Sequence, residues 1–258
     1  MKNRFTDKKI LIIGGSSGIG EATARAFAEA GGHVTIASRN MSKLQAAATR
    51  IGSDTEVAEL NTTDDESVQR FFEGASGFDH VVVSAAQTSS GPVREMALED
   101  ARQAMNSKFW GAYNVARHAR INEGGSLTFV SGFLSVRPSK PVLQGAINAA
   151  IESLGRGLAL ELASSKVRVN TVSPGLIATP LWDALESSAR QSMYEKAAST
   201  LPARTMGLPE HVADAIPLCC RKSLCHRFHC SHRWWWGDCI RPHITKSRPR
   251  QTGWRGNL

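Results

Sequence analysis

An α/β fold, a doubly wound parallel sheet with helices on both faces, is predicted for this 258-residue chain by three observations. The run Ile10–Ile13 is uniformly apolar, as a strand buried on both faces must be. It ends on Gly14, Gly18 and Gly20 and passes into the helical run Glu21–Ala30. Strand-like and helix-like stretches then alternate as far as Val172, the pattern of successive βαβ units.

A strand that turns on glycines into a helix aims free backbone N–H groups, and the positive end of the helix dipole, at one point. That point suits a phosphate. Gly14 allows the tight turn, Gly18 lets the backbone approach a ligand, and Gly20 lets helix and strand pack closely. Ser16, Ser17 and Ile19 complete the candidate phosphate loop.

His33 to Ser38 predicts a second strand, Met41 to Ile51 a helix and Thr55 to Leu60 a third strand. Thr63, with Glu66 three residues on, has the form of a capping box and opens a helix through Phe72. Asp79 to Ser84 predicts a fourth strand around Val81, Val82 and Val83. Leu98 to about Ile121 reads as one long helix, with Met105, Phe109 and Tyr113 spaced for core packing. Ser126 to Ser131 is a fifth strand, Val142 to Ala163 a long helix and Val167 to Val172 a sixth strand, ended by Pro174-Gly175. Ligands of such sheets bind at the carboxyl ends of the strands, where Gly14, Ser38, Ser84, Ser131 and Ser173 should gather.

The formal net charge of +8 resides in one place. Residues 218–258 hold nine of the 31 Lys and Arg but only one of the 23 Asp and Glu, Asp238. The body, 1–217, is therefore electrically balanced, which argues against a nucleic-acid partner. No stretch has the form of a signal peptide or approaches the apolar length of a membrane span, so a soluble cytoplasmic protein with no membrane partner is expected.

Over residues 8–217 the chain resembles the short-chain dehydrogenase/reductase family. The matching motifs are Gly14-x-x-x-Gly18-Ile-Gly20, Leu158-Ala-Leu-Glu-Leu162, Arg168-Val-Asn170, Ser173-Pro-Gly-Leu-Ile-Ala-Thr-Pro180 and, opening a further helix, Gly207-Leu-Pro-Glu210. The resemblance implies a Rossmann-like fold, a nicotinamide cofactor, and hydride transfer to or from a carbonyl or alcohol. Thr179 falls where the family holds the nicotinamide carboxamide. Ser84, Ala85 and Ala86, followed by Gln87, stand where the family has Asn-Asn-Ala-Gly. Pro174 and Gly175 also fall on cofactor-binding positions.

The end of the second strand selects the cofactor. A carboxylate there would bond a ribose 2′-OH and repel a 2′-phosphate; the chain instead has Ser38, Arg39 and Asn40. Arg39 suits charge-assisted bonding to a phosphate, so NADP(H) is expected. Asn61, where the family usually has Asp, is expected to bond an adenine edge.

The catalytic positions depart from the family. Gln144 and Asn148 occupy the positions of its Tyr-x-x-x-Lys pair. Gln144 can hydrogen-bond a carbonyl but has no proton to give near neutral pH; Asn148 can reach ribose hydroxyls without bringing charge. Ser131 occupies the family's serine position, and Lys108 that of its helix asparagine, with Asn106 as the alternative if the helix slips by two residues. Lys108 is expected to polarise the substrate carbonyl or donate its proton, with Ser131 and Gln144 orienting it. Leu134 to Leu143, with Leu181, Trp182 and Leu185, should line a pocket for a hydrophobic substrate.

The tail, 218–258, carries all five cysteines, several histidines and Trp234-Trp235-Trp236. A zinc site, disulfides or a nucleic-acid stacking surface could be read there, but the Cys and His spacings match no regular set, and no metal is expected. A reading-frame shift shortly after Ile216 explains more. Tryptophan has the single codon TGG, and three in succession, read one base later, begin with two glycine codons. The family ends in a seventh strand and a Val-Asp-Gly-Gly turn at about this place. As printed, the chain should lack that strand and leave the tail poorly packed; with an intact C-terminus the resemblance implies a homodimer or homotetramer. Two functions are compatible with these residues: an NADP(H)-dependent oxidoreductase with an unusual proton-transfer set, or an NADP(H)-binding protein of the same fold without turnover.

Overall fold

A computed structural model describes residues 4–221 except 88, 90, 138, 184, 202 and 203, together with the backbone of 229–231. Among the described residues, seven parallel strands form one sheet in the order β3-β2-β1-β4-β5-β6-β7. The strands are β1 (Lys9–Ile13), β2 (His33–Ser38), β3 (Glu56–Glu59), β4 (Phe78–Val83), β5 (Ile121–Val130), β6 (Arg168–Ser173) and β7 (His229–Ser231). Between them run α1 (Gly18–Glu29), α2 (Met41–Ile51), α3 (Asp65–Glu73), α4 (Leu98–Met105), α5 (Gly111–His118), α6 (Val142–Glu161), α7 (Ser187–Thr200) and α8 (Pro209–Arg221). The strand order reverses between β1 and β4, which opens a crevice beyond their carboxyl ends.

Residue alternation along β1 explains the two-sided core. Leu11 and Ile13 point into a cluster with Val81, Leu127, Phe129 and Ile147. Ile10 and Ile12 point to the opposite face, among Phe27, Val34, Ile36 and Ile216. The uniformly apolar run is thus buried on both sides, at 1% exposure or less for all four residues.

Several boundaries differ from those the sequence predicts. The long helix is broken by a π-helical turn, Asn106–Trp110, and ends at His118. A π turn carries an extra residue, which rotates the succeeding helix by about 100°. Tyr113 is consequently 40% exposed, against Trp110, and only Met105 and Phe109 of the expected trio reach the core. The cap of α3 is Asp64, whose carboxylate accepts from the Glu66 and Ser67 amides; Thr63 bonds Asn61 instead. β5 begins at Ile121 rather than Ser126, with Gly124 in a left-handed conformation. The helix α7 buries none of its residues, and with no apolar stripe it has no counterpart among the expected elements.

The expected loss of the seventh strand is corrected: a three-residue β7 pairs with the carboxyl end of β6. α8 runs through Pro217 to Arg221, and Cys219 and Cys220 are buried in the core outside any disulfide. Arg168 donates to the carbonyls of both, 2.7 Å to Cys219, so a buried guanidinium satisfies the end of α8. The sequence-predicted metal, disulfide and tryptophan features at Cys225–Trp236 and beyond lie outside the described residues, apart from the backbone of β7.

Candidate active site

A cavity of about 950 Å³ lies across the carboxyl ends of β1, β2, β4, β5 and β6. Gly14, Ser16, Ser17, Gly18, Ile19 and Gly20 form one wall; Ser38, Arg39 and Asn40 close one end. Ser84, Ala85, Ala86, Pro174, Gly175 and Thr179 line it further along, with Lys108, Ser131, Gln144 and Asn148 at the other end. Several predicted residues do not line it, among them Ser173, Val142, Leu143, Leu185 and Asn61. Asn61 turns its side-chain oxygen to Thr63, while Leu60, Thr62 and Thr63 themselves form the wall.

The glycine loop is built tightly. Gly14 has φ +86°, and a Cβ there would fall 2.6 Å from the Ala85 amide nitrogen. A Cβ at Gly20 would fall 2.1 Å from the Gly14 carbonyl oxygen, so α1 rests directly against the end of β1. Ser84 braces the same point, its hydroxyl donating to the Ile13 carbonyl at 3.1 Å. Ser17 occupies the N-cap of α1 without a side-chain capping bond, which leaves first-turn amides for a ligand in the cleft.

The charge on the wall is of one sign. Arg39, Lys43 and Lys108 line the cavity, and no Asp or Glu does so among the described residues. Arg39 donates to the Gln87 side chain at 2.7 Å, bridging the ends of β2 and β4. Asn40 accepts from the Lys43 amide at 2.9 Å and thereby caps α2, which sets Lys43 one turn from Arg39. A nicotinamide dinucleotide fits this wall, with the glycine loop and the first turn of α1 along its middle and Arg39 and Lys43 at the strand-end extremity.

At the opposite end Lys108 projects from the π turn, a feature that recurs at functional sites. Asn106, the alternative, is exposed and off the wall. The Lys108 ammonium donates to Asn148 Oδ1 at 2.7 Å and to the Ser131 carbonyl at 3.1 Å. Burial pulls its pKa down to about 8, and the Glu152 carboxylate opposes that pull. The Ser131 hydroxyl donates to Glu152 Oε1 at 2.9 Å. Gln144 Nε2 reaches the Ser89 carbonyl at 3.4 Å. A Cβ at Gly132 would come within 2.7 Å of Asn148 Nδ2, so the chain passes Asn148 at glycine distance. Phe133, Leu134, Leu181, Trp182 and Met193 give this end its apolar surface, and the Trp182 indole is fixed by the Ile177 carbonyl at 2.8 Å.

Three residues at the site are not marked by any sequence motif. Lys43 stands one turn into α2, four residues after Arg39. Ser107 accepts from the Gln87 amide at 2.8 Å. Glu152 succeeds Gln144 and Asn148 at four-residue spacing, a stripe along one face of α6 that a helical projection brings out.

A family model described as enoyl-(acyl carrier protein) reductase matches residues 14–223. A glucose 1-dehydrogenase of Gluconobacter oxydans is 31% identical over 230 residues, 83% of this chain and 85% of that protein. A 3-oxoacyl-(acyl-carrier-protein) reductase of Rickettsia conorii is 29% identical, over 82% of this chain and 88% of its own. The crystal structure of a small-chain dehydrogenase in complex with NADPH superimposes with a TM-score of 0.72 at 30% identity, covering 87% of this chain and 96% of that one. The sheet order, the glycine loop and these likenesses agree: the chain belongs to the short-chain dehydrogenase/reductase family of oxidoreductases.

Proposed function

We propose that this protein is an NADP(H)-dependent oxidoreductase acting on carbonyl and alcohol groups of hydrophobic small molecules, with Lys108 as its proton-transfer residue. The cofactor reading is supported by a wall that carries cations and no carboxylate among its described residues. The Gly14–Gly20 loop and the first turn of α1 would hold the pyrophosphate, and Arg39 with Lys43 the 2′-phosphate. Ala85 and Ala86 would offer backbone contacts, and Thr179 the carboxamide contact. When bound, NADP(H) supplies or accepts the hydride at the carbonyl carbon.

The observation that carries the proton-transfer reading is the pair of acceptors on Lys108. Protonated, the side chain has three N–H groups; two are held by Asn148 and the Ser131 carbonyl, leaving one for a substrate oxygen. Deprotonated, it has two N–H groups and one lone pair, and both wall bonds survive. Neither state leaves a wall acceptor unpaired. Its pKa, near 8, is in the range that serves both acid and base roles around neutral pH. Gln144 supplies a second donor to the substrate oxygen, without proton transfer.

The test is NADPH oxidation against a panel of apolar aldehydes and ketones, with Lys108→Met and Ser131→Ala beside the wild type. Lys108→Met is expected to lower kcat by about 10²–10⁴-fold, the usual worth of a positioned acid. Reduction by the wild type should fall as pH rises through about 8, because the acid form is consumed there. Unchanged rates in both variants overturn the assignment. NADPH binding by fluorescence without turnover of any substrate would favour the non-catalytic binding protein.

A further inference from the structure

The carboxylate of Glu152 plays no part in the chemistry above, yet it is tied by a hydrogen bond to Ser131, one of the two residues that hold the proton-transfer group. It lies on α6, 5% exposed, and does not line the cavity. Ser131 connects it to the site in two directions. The Ser131 hydroxyl donates to Glu152 at 2.9 Å, while the carbonyl of the same residue accepts from Lys108 at 3.1 Å. Asn148, one helical turn before Glu152, takes the other Lys108 bond.

We infer that Glu152 is a positioning residue for Lys108: from one layer behind the cleft wall, its carboxylate anchors Ser131 and holds the proton on the Lys108 ammonium. This rests on the reading of Lys108 as the proton donor.

The location matters as much as the charge. A carboxylate on the wall itself would repel an anionic cofactor and occupy the third N–H of Lys108, the one needed for substrate. Set behind Ser131, Glu152 acts on Lys108 through its field and leaves that N–H to the cleft. Among the described residues, Glu152 is the charged group whose field is felt at Lys108, and it counters the desolvation that drives the proton off. The other groups touching the ammonium, Asn148 and the Ser131 carbonyl, do not titrate. Arg39 and Lys43, the remaining charges of the same wall, stand at the strand-end extremity of the cleft.

Glu152→Gln removes the charge while its amide oxygen still accepts from Ser131. The readout is the titration of Lys108 itself, followed by NMR after reductive ¹³C-methylation of the lysines, with Lys108→Arg identifying the resonance. The midpoint in Glu152→Gln should move down by roughly 0.5–1 pH unit. Glu152→Asp, which keeps the charge, should restore it most of the way. The alkaline limb of the reductase pH profile should move in the same direction, with NADPH affinity unchanged. A Lys108 midpoint that stays put or rises in Glu152→Gln overturns the inference.

If Glu152→Gln fails to fold, the wild-type protein carries the test. Infrared difference spectra between pH 7 and 9, edited by isotope labelling of glutamate, should show a carboxylate band that shifts as Lys108 loses its proton. Lys108→Met should lack that shift, and its absence from the wild type overturns the inference. The two readings fail separately. Coupled titration with turnover indifferent to Lys108 removes the proton-transfer role alone; turnover that needs Lys108 with no coupling removes Glu152 alone.

Discussion

Lys108 Nζ lies 2.7 Å from Asn148 Oδ1, so the π turn and α6 meet through an ammonium and an amide across the end of the cleft. The lysine stands on the π turn before α5 and the asparagine on α6, so one cation and one amide share this corner of the cleft.

Swapping the two residues should therefore be tolerated better than either single change. Lys108→Asn leaves the corner without a cation, and Asn148→Lys puts two ammoniums side by side. Each single variant should weaken NADPH binding by about tenfold, and the double variant should return to within about threefold of wild type, a coupling typical of touching residues. Fluorescence titration of the four proteins checks this. Additive losses would show that the contact carries no coupling.

Arg39 should decide between the two dinucleotides. Its exposed guanidinium stands at the end of β2, and charge-assisted bonds to a phosphate contribute about 1.5–3 kcal/mol. Arg39→Ala should weaken NADPH roughly 10- to 100-fold and leave NADH nearly unaffected. Lys43→Ala should act in the same sense and more weakly. Equal losses for both dinucleotides in isothermal titration would reject the 2′-phosphate role.

His80 should set the response of the fold to acid. It is buried at 6% exposure between Phe5 and Phe27 and bonds Ser126 at 2.9 Å. Burial, and then the Arg168 charge, push its pKa down from 6.5 to about 4. The native protein thus binds fewer protons than the unfolded chain between those values. Stability contributed by the neutral ring is complete above about 6.5 and is lost as pH falls to about 4, by up to ~3 kcal/mol. Urea denaturation at pH 7 and pH 5 should show the loss in the wild type and a smaller one in His80→Gln.

The coding sequence should reveal a shifted frame shortly after Ile216. Reading the gene in the two other frames from the codon of Ile216 onward should recover a β-strand and a Gly-Gly turn. Failure to find either would leave the printed tail as the native one.

The sheet was legible because burial on both faces leaves a pattern no surface helix shares. Ile10–Ile13 and Val81–Val83 mark β1 and β4, and glycines mark the turn between β1 and α1. The cleft was legible for the same reason: strand ends are where Gly14, Ser38, Ser84 and Ser131 had to meet, and the structure brings them together. What stayed hidden depends on phase or on the absence of pattern. The π turn shifts the helical register by one residue, which cost Tyr113 its place in the core. α7 shows no apolar face, so nothing in Ser187–Thr200 announces a helix that buries nothing. Glu152 looks like an ordinary solvated acid until the helix is known to turn its face toward Ser131.

The single-signed wall formed by Arg39, Lys43 and Lys108 has a consequence for the protein in the test tube. Like charges sharing one concavity repel, so ionic strength alone should firm up the fold and raise its melting temperature. Inorganic phosphate should do so at lower concentration than chloride, because it binds where helix-end amides and cations converge. The same buffer would then compete with the dinucleotide, and the apparent affinity would report the choice of counter-ion as much as the protein.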